Sequence, residues 1–355
     1  MGVVSPGSLE RELFGSGHPT VVTEAVDGFC AAQLGARVGE YEFFATSVGS
    51  VHGVRLDDGR RVVVKVHRAD AERGHLLAVA RVQEHLAGAD FPSPRPLLGP
   101  TPLARGLAVV ETLLDDGCWA DPHRPAVRRA MAASLVRLVE LCRPLAGLPG
   151  LSRGRDRARA LWLRPHDLRF DFPGTSRGAA WIERLARAAD EQLDALAGGP
   201  DVMGHFDYKA EHLRFAGGAV SAVYDWDSLG VGPEPLLVAF AAYAFTADWS
   251  RDGHRCLPTL DESLAFIADY EAARGAPLTP EQRRMTSAGL VAATAYGARC
   301  EHSDRLTGFG AHPPRPAPST VPPDGFLAAL ATHGAALLGS TAGDRDVRPS
   351  SGRAG

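Results

Sequence analysis

Two short stretches gather carboxylates, imidazoles and an ammonium within a few residues: Gly204-His205-Phe206-Asp207-Tyr208-Lys209-Ala210-Glu211-His212 and Val223-Tyr224-Asp225-Trp226-Asp227. Phosphoryl transfer from a nucleotide to a hydroxyl needs a carboxylate that orients the hydroxyl and accepts its proton. It also needs ligands for the Mg²⁺ that neutralises the triphosphate, and a lysine on the α- and β-phosphates. A His-x-Asp with a ligand five residues beyond the Asp, then a short hairpin ending in hydrophobic-Asp-aromatic, supplies the first two. Lys65, closing the run Arg61-Val62-Val63-Val64-Lys65, supplies the third.

The lysines themselves are a signal. Lys plus Arg is 38, and only Lys65 and Lys209 are lysine, so the remaining 36 are arginine. A chain that uses arginine for generic positive charge keeps lysine where a compact ammonium is needed that a planar guanidinium cannot imitate. Both lysines fall in the motifs above.

On these residues the sequence resembles the aminoglycoside phosphotransferase family of kinase-like small-molecule kinases. The resemblance covers roughly residues 40–300, with its specificity in 204–212 and 223–227. It implies an α+β, two-lobed protein-kinase-like fold: an N-terminal antiparallel sheet lobe with one helix, and a larger, mainly helical C-terminal lobe. It further implies Asp207 as catalytic base, Asp225 as principal metal ligand and Lys65 as the phosphate-contacting lysine. His205 would hold the catalytic loop by hydrogen bonds. The backbone of Glu111, Thr112, Leu113 and Leu114 would pair with the nucleotide base, and Ser47, Gly49 and Ser50 would lie in the phosphate-covering loop. The cofactors implied are ATP or GTP with Mg²⁺.

This chain departs from the family pattern at several positions. His212 stands where a metal-binding Asn is expected, although Mg²⁺ prefers oxygen ligands. Phe206 replaces a small residue, and Gly232-Pro233-Glu234-Pro235-Leu236 replaces the usual Asp-Leu-Ala. Lys209, two residues after Asp207, resembles the protein-kinase catalytic loop and would stabilise charge on the moving phosphoryl group. Asp227 is a further metal ligand or a cap of the next turn. The helix partner of Lys65 lies among Glu72, Gln83 and Glu84, with Glu84 preferred.

The elements that must position these groups are legible as patterns. Tyr41–Ser47, Val51–Leu56 and Arg61–Val66 read as three antiparallel strands, the last two joined at Asp57-Asp58-Gly59. Apolar spacing predicts a helix over 71–88, stopped by Pro92, Pro94 and Pro96, and Leu107–Glu111 reads as another strand. Helices are expected at 125–142, 178–197, about 235–247, 261–274, 280–301 and 324–338. Residues 303–323 read as a Pro-rich loop. The domain reading is a nucleotide-binding lobe over 1–114 with a leading segment 1–40, a catalytic and acceptor-binding lobe over 115–338, and a disordered tail over 339–355.

Composition bounds the partners. The 355 residues are 45% hydrophobic and 23% charged with a net charge of −4, against a dedicated nucleic-acid or anionic-membrane binder. No apolar run is long enough for a membrane span, and the N-terminus lacks a secretory pattern, so a cytoplasmic protein is expected. Five scattered cysteines read as reduced thiols. Residues 201–302 hold 14 acidic against 8 basic side chains, a surplus that suits a cationic, aminoglycoside-like acceptor. Glu234, Asp248, Asp252, Asp261 and Glu262 are the candidate acceptor contacts. A kinase of homoserine, choline or a sugar, and a nucleotide-binding pseudokinase, are the other readings; the oligomeric state is open.

Overall fold

The valine run makes the first strand that matters. β-Branched residues favour extended backbone and pack on both faces of a covered sheet. In β3 (Arg61–His67), Val62, Val64 and Val66 are fully buried on one face, while Val63 and Lys65 lie on the other. The computed structural model describes residues 8–46, 49–153, 161, 162, 165, 169–196, 198–251, 253–308 and 325–339. Around β3 stand β1 (Val38–Thr46), β2 (Ser50–Leu56), β4 (Pro96–Leu103) and β5 (Gly106–Thr112), in the order β1-β2-β3-β5-β4 and antiparallel throughout.

The leading segment is more structured than expected. It forms α1 (Ser8–Phe14) and α2 (Pro19–Leu34), whose Leu9, Leu13, Val22, Val26 and Phe29 cover the face bearing Val62, Val64 and Val66. With α3 (Arg73–Gly88), whose Leu76, Val79 and Gln83 approach Lys65 from the other side, the sheet carries three helices rather than one. β4 was not expected, because its prolines read as a helix stop. Prolines cannot donate to a ladder, but β4 is an edge strand paired only with β5, so Pro96, Pro100 and Pro102 are tolerated there.

Beyond β5 the chain is mainly helical. The principal core joins α3 to α4 (Pro125–Cys142), α6 (Glu234–Ala244) and α7 (Leu260–Arg274) through Val82, Leu86, Met131, Leu135, Leu237 and Phe266. α5 (Ala180–Ala195), α8 (Pro280–Thr307) and α9 (Phe326–Gly339) pack together in a second apolar cluster. Thr279 caps α8 in a capping box with Gln282, with Pro280 in its first turn. That helix runs through Thr307, past the start of the expected loop; residues 309–324, and the expected tail from 340, lie outside the described residues.

Among the described residues, five short strands lie between these helices. β7 (Asp201–His205) pairs antiparallel with β10 (Leu229–Pro233), which also meets β6 (Ser152–Arg153) in parallel. β8 (Leu213–Ala216) and β9 (Ala219–Val223) form a hairpin. Among the described residues no helix is long and apolar enough to cross a membrane, and all five cysteines are free.

The helix-covered face of the sheet holds a titratable group. His52, on β2, is 1% exposed, takes a 2.9 Å hydrogen bond with the Ser50 hydroxyl and meets the Phe14 ring edge-on. Burial lowers its pKa from 6.5 to about 4. Below pH 6.5 the unfolded chain takes up this proton and the folded chain does not, so stability falls with pH between 6.5 and about 4. His52→Asn is expected to flatten this window by up to about 3 kcal/mol, read from urea midpoints across pH; an unchanged slope would refute a buried neutral imidazole.

Candidate active site

β7 ends at His205 in a place with no room to spare. A Cβ at Gly204 would lie 2.4 Å from Leu237 Cδ2, so only glycine lets β7 pass α6 this closely. His205 is fully buried, its Nε2–H donates to the Tyr224 carbonyl at 2.9 Å, and its Nδ1 accepts the Asp207 N–H at 3.3 Å. One neutral ring thus ties the Asp207 loop to the Asp225 turn, and burial lowers its pKa. Tyr208 anchors the same loop to α4 through a 3.2 Å bond from its hydroxyl to the Met131 carbonyl. Ala210 and Glu211 donate their N–H groups to the Phe245 and Ala247 carbonyls.

Asp207 emerges from this brace with its side chain 41% exposed and 2.8 Å from Lys209 Nζ. Burial alone would raise its pKa, but the Lys209 charge and hydrogen bond outweigh that and hold the carboxyl below its ordinary range. Burial would lower Lys209, yet Asp207 and Glu211 raise it. Glu211 is 3.7 Å from Lys209, and burial together with Asp248 raises its own pKa.

Asp225 has φ 59° and ψ 49°, the left-handed region that Asp tolerates better than most residues. The fully buried Trp226 fixes the turn, its indole N–H donating to the Val223 carbonyl at 2.8 Å. His212 bridges the two acids. Its Nδ1–H donates to the Asp207 carbonyl at 2.9 Å, and its Nε2 lies 3.4 Å from Asp225 Oδ2.

Across the cleft, Lys65 is 8% exposed and its ammonium lies 3.4 Å from Glu111 Oε1. Burial would lower its pKa, but Glu111, Asp227 and Asp225 raise it well above the ordinary value. A small cavity beside it is lined by Leu76, Val79, Gln83, Val109, Trp226 and Asp227.

Several expected placements are corrected. Glu84 is not the partner of Lys65: its side chain is 62% exposed and 4.0 Å from Arg95, because the helix turns Gln83, not Glu84, toward the sheet. Glu72 is an exposed N-cap of α3. The Thr112 and Leu113 N–H groups are not free for a base, since β5 extends far enough for them to bond the Arg95 and Arg61 carbonyls at 2.9 and 3.1 Å. The Leu114 carbonyl accepts the Tyr224 hydroxyl. Ser50 sits opposite Val66 on the helix-covered face, so its hydroxyl points away from Lys65. Gly49 lies against β3, where a Cβ would be 2.7 Å from the Val66 carbonyl; Ser47 is outside the described residues.

Asp227 does not join the candidate metal ligands. Its carboxylate is 3.9 Å from His67 Nδ1, and its carbonyl meets His75 Nε2 at 3.0 Å. Among the acceptor candidates, Glu234 is held by Tyr270 and Arg274, and Glu262 by His123, Arg255 and the α7 capping box. Asp248 is buried and accepts from Ser250, Asp261 is exposed, and Asp252 is outside the described residues. Sequence reasoning missed the Glu111 side chain, which it placed near the nucleotide only through its backbone, and it named Gln83 among the helix candidates but preferred Glu84. The available signal was a lone carboxylate inside the apolar strand Leu107-Ala108-Val109-Val110-Glu111.

Asp207, His212 and Asp225 each offer one ligand atom, and these atoms lie within 4.8 Å of one another. The donor set fits a divalent cation, because the Nδ1–H bond leaves a lone pair on Nε2 facing Asp225. A buried ring with its pKa lowered to about 4 presents that lone pair at neutral pH.

A sequence profile of the phosphotransferase enzyme family matches residues 52–281, which include Lys65, Asp207 and Asp225. Similar folds occur in solved structures. A spectinomycin phosphotransferase in complex with ADP and spectinomycin superposes with a TM-score of 0.55 at 11% identity, over 88% of this chain and 98% of that one. An amicoumacin kinase in complex with AMP-PNP, Ca²⁺ and Ami gives 0.54 at 13% identity, over 90% and 96%. A choline/ethanolamine kinase family protein from Mesorhizobium loti gives 0.51 at 16% identity, over 90% and 95%. No curated protein matches the sequence.

The tautomer of His212 is directly measurable. At pH 7, nitrogen NMR of the imidazoles is expected to show His212 neutral with its proton on Nδ1, and to keep it neutral until the pH nears about 4. A ring that protonates near pH 6.5, or carries its proton on Nε2, would contradict the geometry.

Proposed function

This chain belongs to the phosphotransferase enzyme family and is a small-molecule kinase with an alcohol group as acceptor, and we propose that it moves the terminal phosphoryl group of ATP through Asp207. The observation that carries this reading is the Asp207 carboxylate, open to the cleft, held by Lys209 at 2.8 Å and gathered with His212 and Asp225. The nucleotide-bound neighbours, one with AMP-PNP and one with ADP, support a nucleotide as donor.

In this reading Asp207 accepts a hydrogen bond from the acceptor hydroxyl and orients its oxygen toward the terminal phosphorus. The oxygen–phosphorus bond forms as the bond to the bridging oxygen breaks, ADP departs, and the hydroxyl proton passes to Asp207. Lys209 offsets charge on the transferring group, and Lys65 holds the phosphates that remain on the nucleotide. Asp225 and His212 would hold a divalent cation, which supplies charge neutralisation at the phosphates.

The acid surplus of residues 201–302 supports a cationic acceptor, and so does the antibiotic acceptor named for the spectinomycin phosphotransferase. Tyr270 and Arg274 occupy Glu234, and His123 and Arg255 occupy Glu262. Glu211, in contrast, lies 3.7 Å from Lys209, with the Asp248 charge close enough to add to burial in raising its pKa, so an acid pair adjoins the proposed transfer site. A metabolite acceptor such as choline is the second reading, supported by the choline/ethanolamine kinase neighbour.

The test is release of ADP or GDP by the purified chain with Mg²⁺, each nucleotide, and a panel of aminoglycosides, macrolides, homoserine, choline and sugars. Turnover on one acceptor is expected. Asp207→Asn is expected to lower kcat by ~10²–10⁴-fold with nucleotide affinity changed only a few-fold. Full turnover in that variant would remove Asp207 from the mechanism. Nucleotide-dependent thermal stabilisation with no product on any acceptor would favour a pseudokinase.

A further inference from the structure

The lysine of the cleft is gripped by the neighbouring strand, and α3 has no acid to offer it. The only acid within α3 is Glu84, and its side chain is 62% exposed on the outer face of the helix. What α3 turns inward is Gln83, 4% exposed, whose amide donates to Glu111 Oε2 at 2.7 Å. The other oxygen of the same carboxylate, Oε1, lies 3.4 Å from Lys65 Nζ. The side chains of Lys65 and Glu111 are 10% and 9% exposed, so the pair is largely screened from water.

The register explains why these two meet. In the β3–β5 ladder Lys65 stands opposite Val109 and Val63 opposite Glu111. Residues two apart on a strand share a face, so Glu111 projects on the side of Lys65, one diagonal step away. Backbone hydrogen bonds of an interior ladder set that step, and no movement of a helix is needed to make or break it. Gln83 also fits as a neutral group. A second carboxylate there would face Glu111 at hydrogen-bond distance, where like charges repel, whereas an amide donates.

We infer that Glu111 is the residue that positions Lys65 for the nucleotide, and that the polar link from α3 to Lys65 runs through the Gln83 bond to Glu111, its Leu76 and Val79 giving apolar lining alone. Asp225 and Asp227 add negative potential around the ammonium, but they belong to the metal-side turn. Lys65 is therefore aligned by the sheet itself, and α3 does not act as a switch. The inference rests on the reading of Lys65 as the phosphate-holding lysine, and the test separates the two.

ATP affinity is measured with Mg²⁺ by calorimetry on the purified full chain, well below each variant's Tm, together with KM and kcat where an acceptor is in hand. Lys65→Met is expected to weaken ATP binding by ~10-fold or more, and Glu111→Gln by a similar factor, as loss of a charge-assisted contact would. Glu84→Gln should stay within about twofold, the range for an exposed pair. The double variant Glu111→Gln with Gln83→Glu returns a carboxylate to the same cluster from the helix side. It is expected to recover part of the affinity, which a merely structural defect would not do. If Glu111→Gln does not fold, the double variant decides alone: affinity recovered in part, above that of Lys65→Met and below wild type, supports strand-borne positioning, and either wild-type affinity or affinity no better than that of Lys65→Met overturns it. Wild-type affinity in a folded Glu111→Gln, with affinity lost in Lys65→Met, overturns the inference and leaves the nucleotide reading standing. Wild-type affinity in Lys65→Met overturns both.

Discussion

An ammonium ion taken out of water costs several kcal/mol unless carboxylates surround it, and this chain buries two, Lys65 and Lys209. Lys65 lies within reach of Glu111, with Asp225 and Asp227 beyond, and Lys209 lies between Asp207 and Glu211. The arrangement works in both directions. The Lys209 ammonium keeps Asp207 ionised although partial desolvation opposes it, and the acids keep both lysines charged. In the proposed mechanism the charges that would meet a phosphate chain are thus fixed before it arrives, so little reorganisation remains for the reaction itself. Among the described residues, arginines such as Arg61, Arg128, Arg255 and Arg274 serve surface and structural pairs, where a planar fork is adequate or better.

The two halves of this charge system are joined by uncharged rings. His205 and His212 are buried and neutral, and each spends one nitrogen on a backbone carbonyl. His205 fixes the Asp207 peptide against Tyr224, and His212 fixes the carbonyl of Asp207 while turning its other nitrogen to Asp225. The backbone distance between the two acids is therefore set by imidazoles whose charge burial suppresses. A left-handed Asp225 and a buried Trp226 complete the turn, and the strain of that conformation is held by the core around α4 and α6.

Much of this was legible as pattern. The helix over 125–142 was readable to the residue, because its apolar positions repeat at helical spacing between Pro125 and the Arg143-Pro144 stop. β3 was readable because three valines in succession fit a sheet covered on both faces. β4 was not, since its prolines carry the same signal whether they end a helix or line a sheet edge. Ser50 and Glu84 were misplaced for one common reason. A single residue of register, in a strand or on a helix, moves a side chain to the opposite face, and neither register is written in local composition.

The sequence by itself determined the inventory: which groups could carry charge, that lysine was reserved for two positions, and the spacing that puts His205, Asp207 and His212 on one loop. Those properties are local, fixed by side-chain chemistry and by a few consecutive backbone angles. Which groups meet was decided only by tertiary structure. Lys65 and Glu111 are 46 residues apart in the chain, and Gln83 and Glu111 are 28 apart. Their contacts depend on how an antiparallel ladder registers and on which face a helix buries. Both follow from the total apolar area removed from water by the folded chain, a sum over many distant residues.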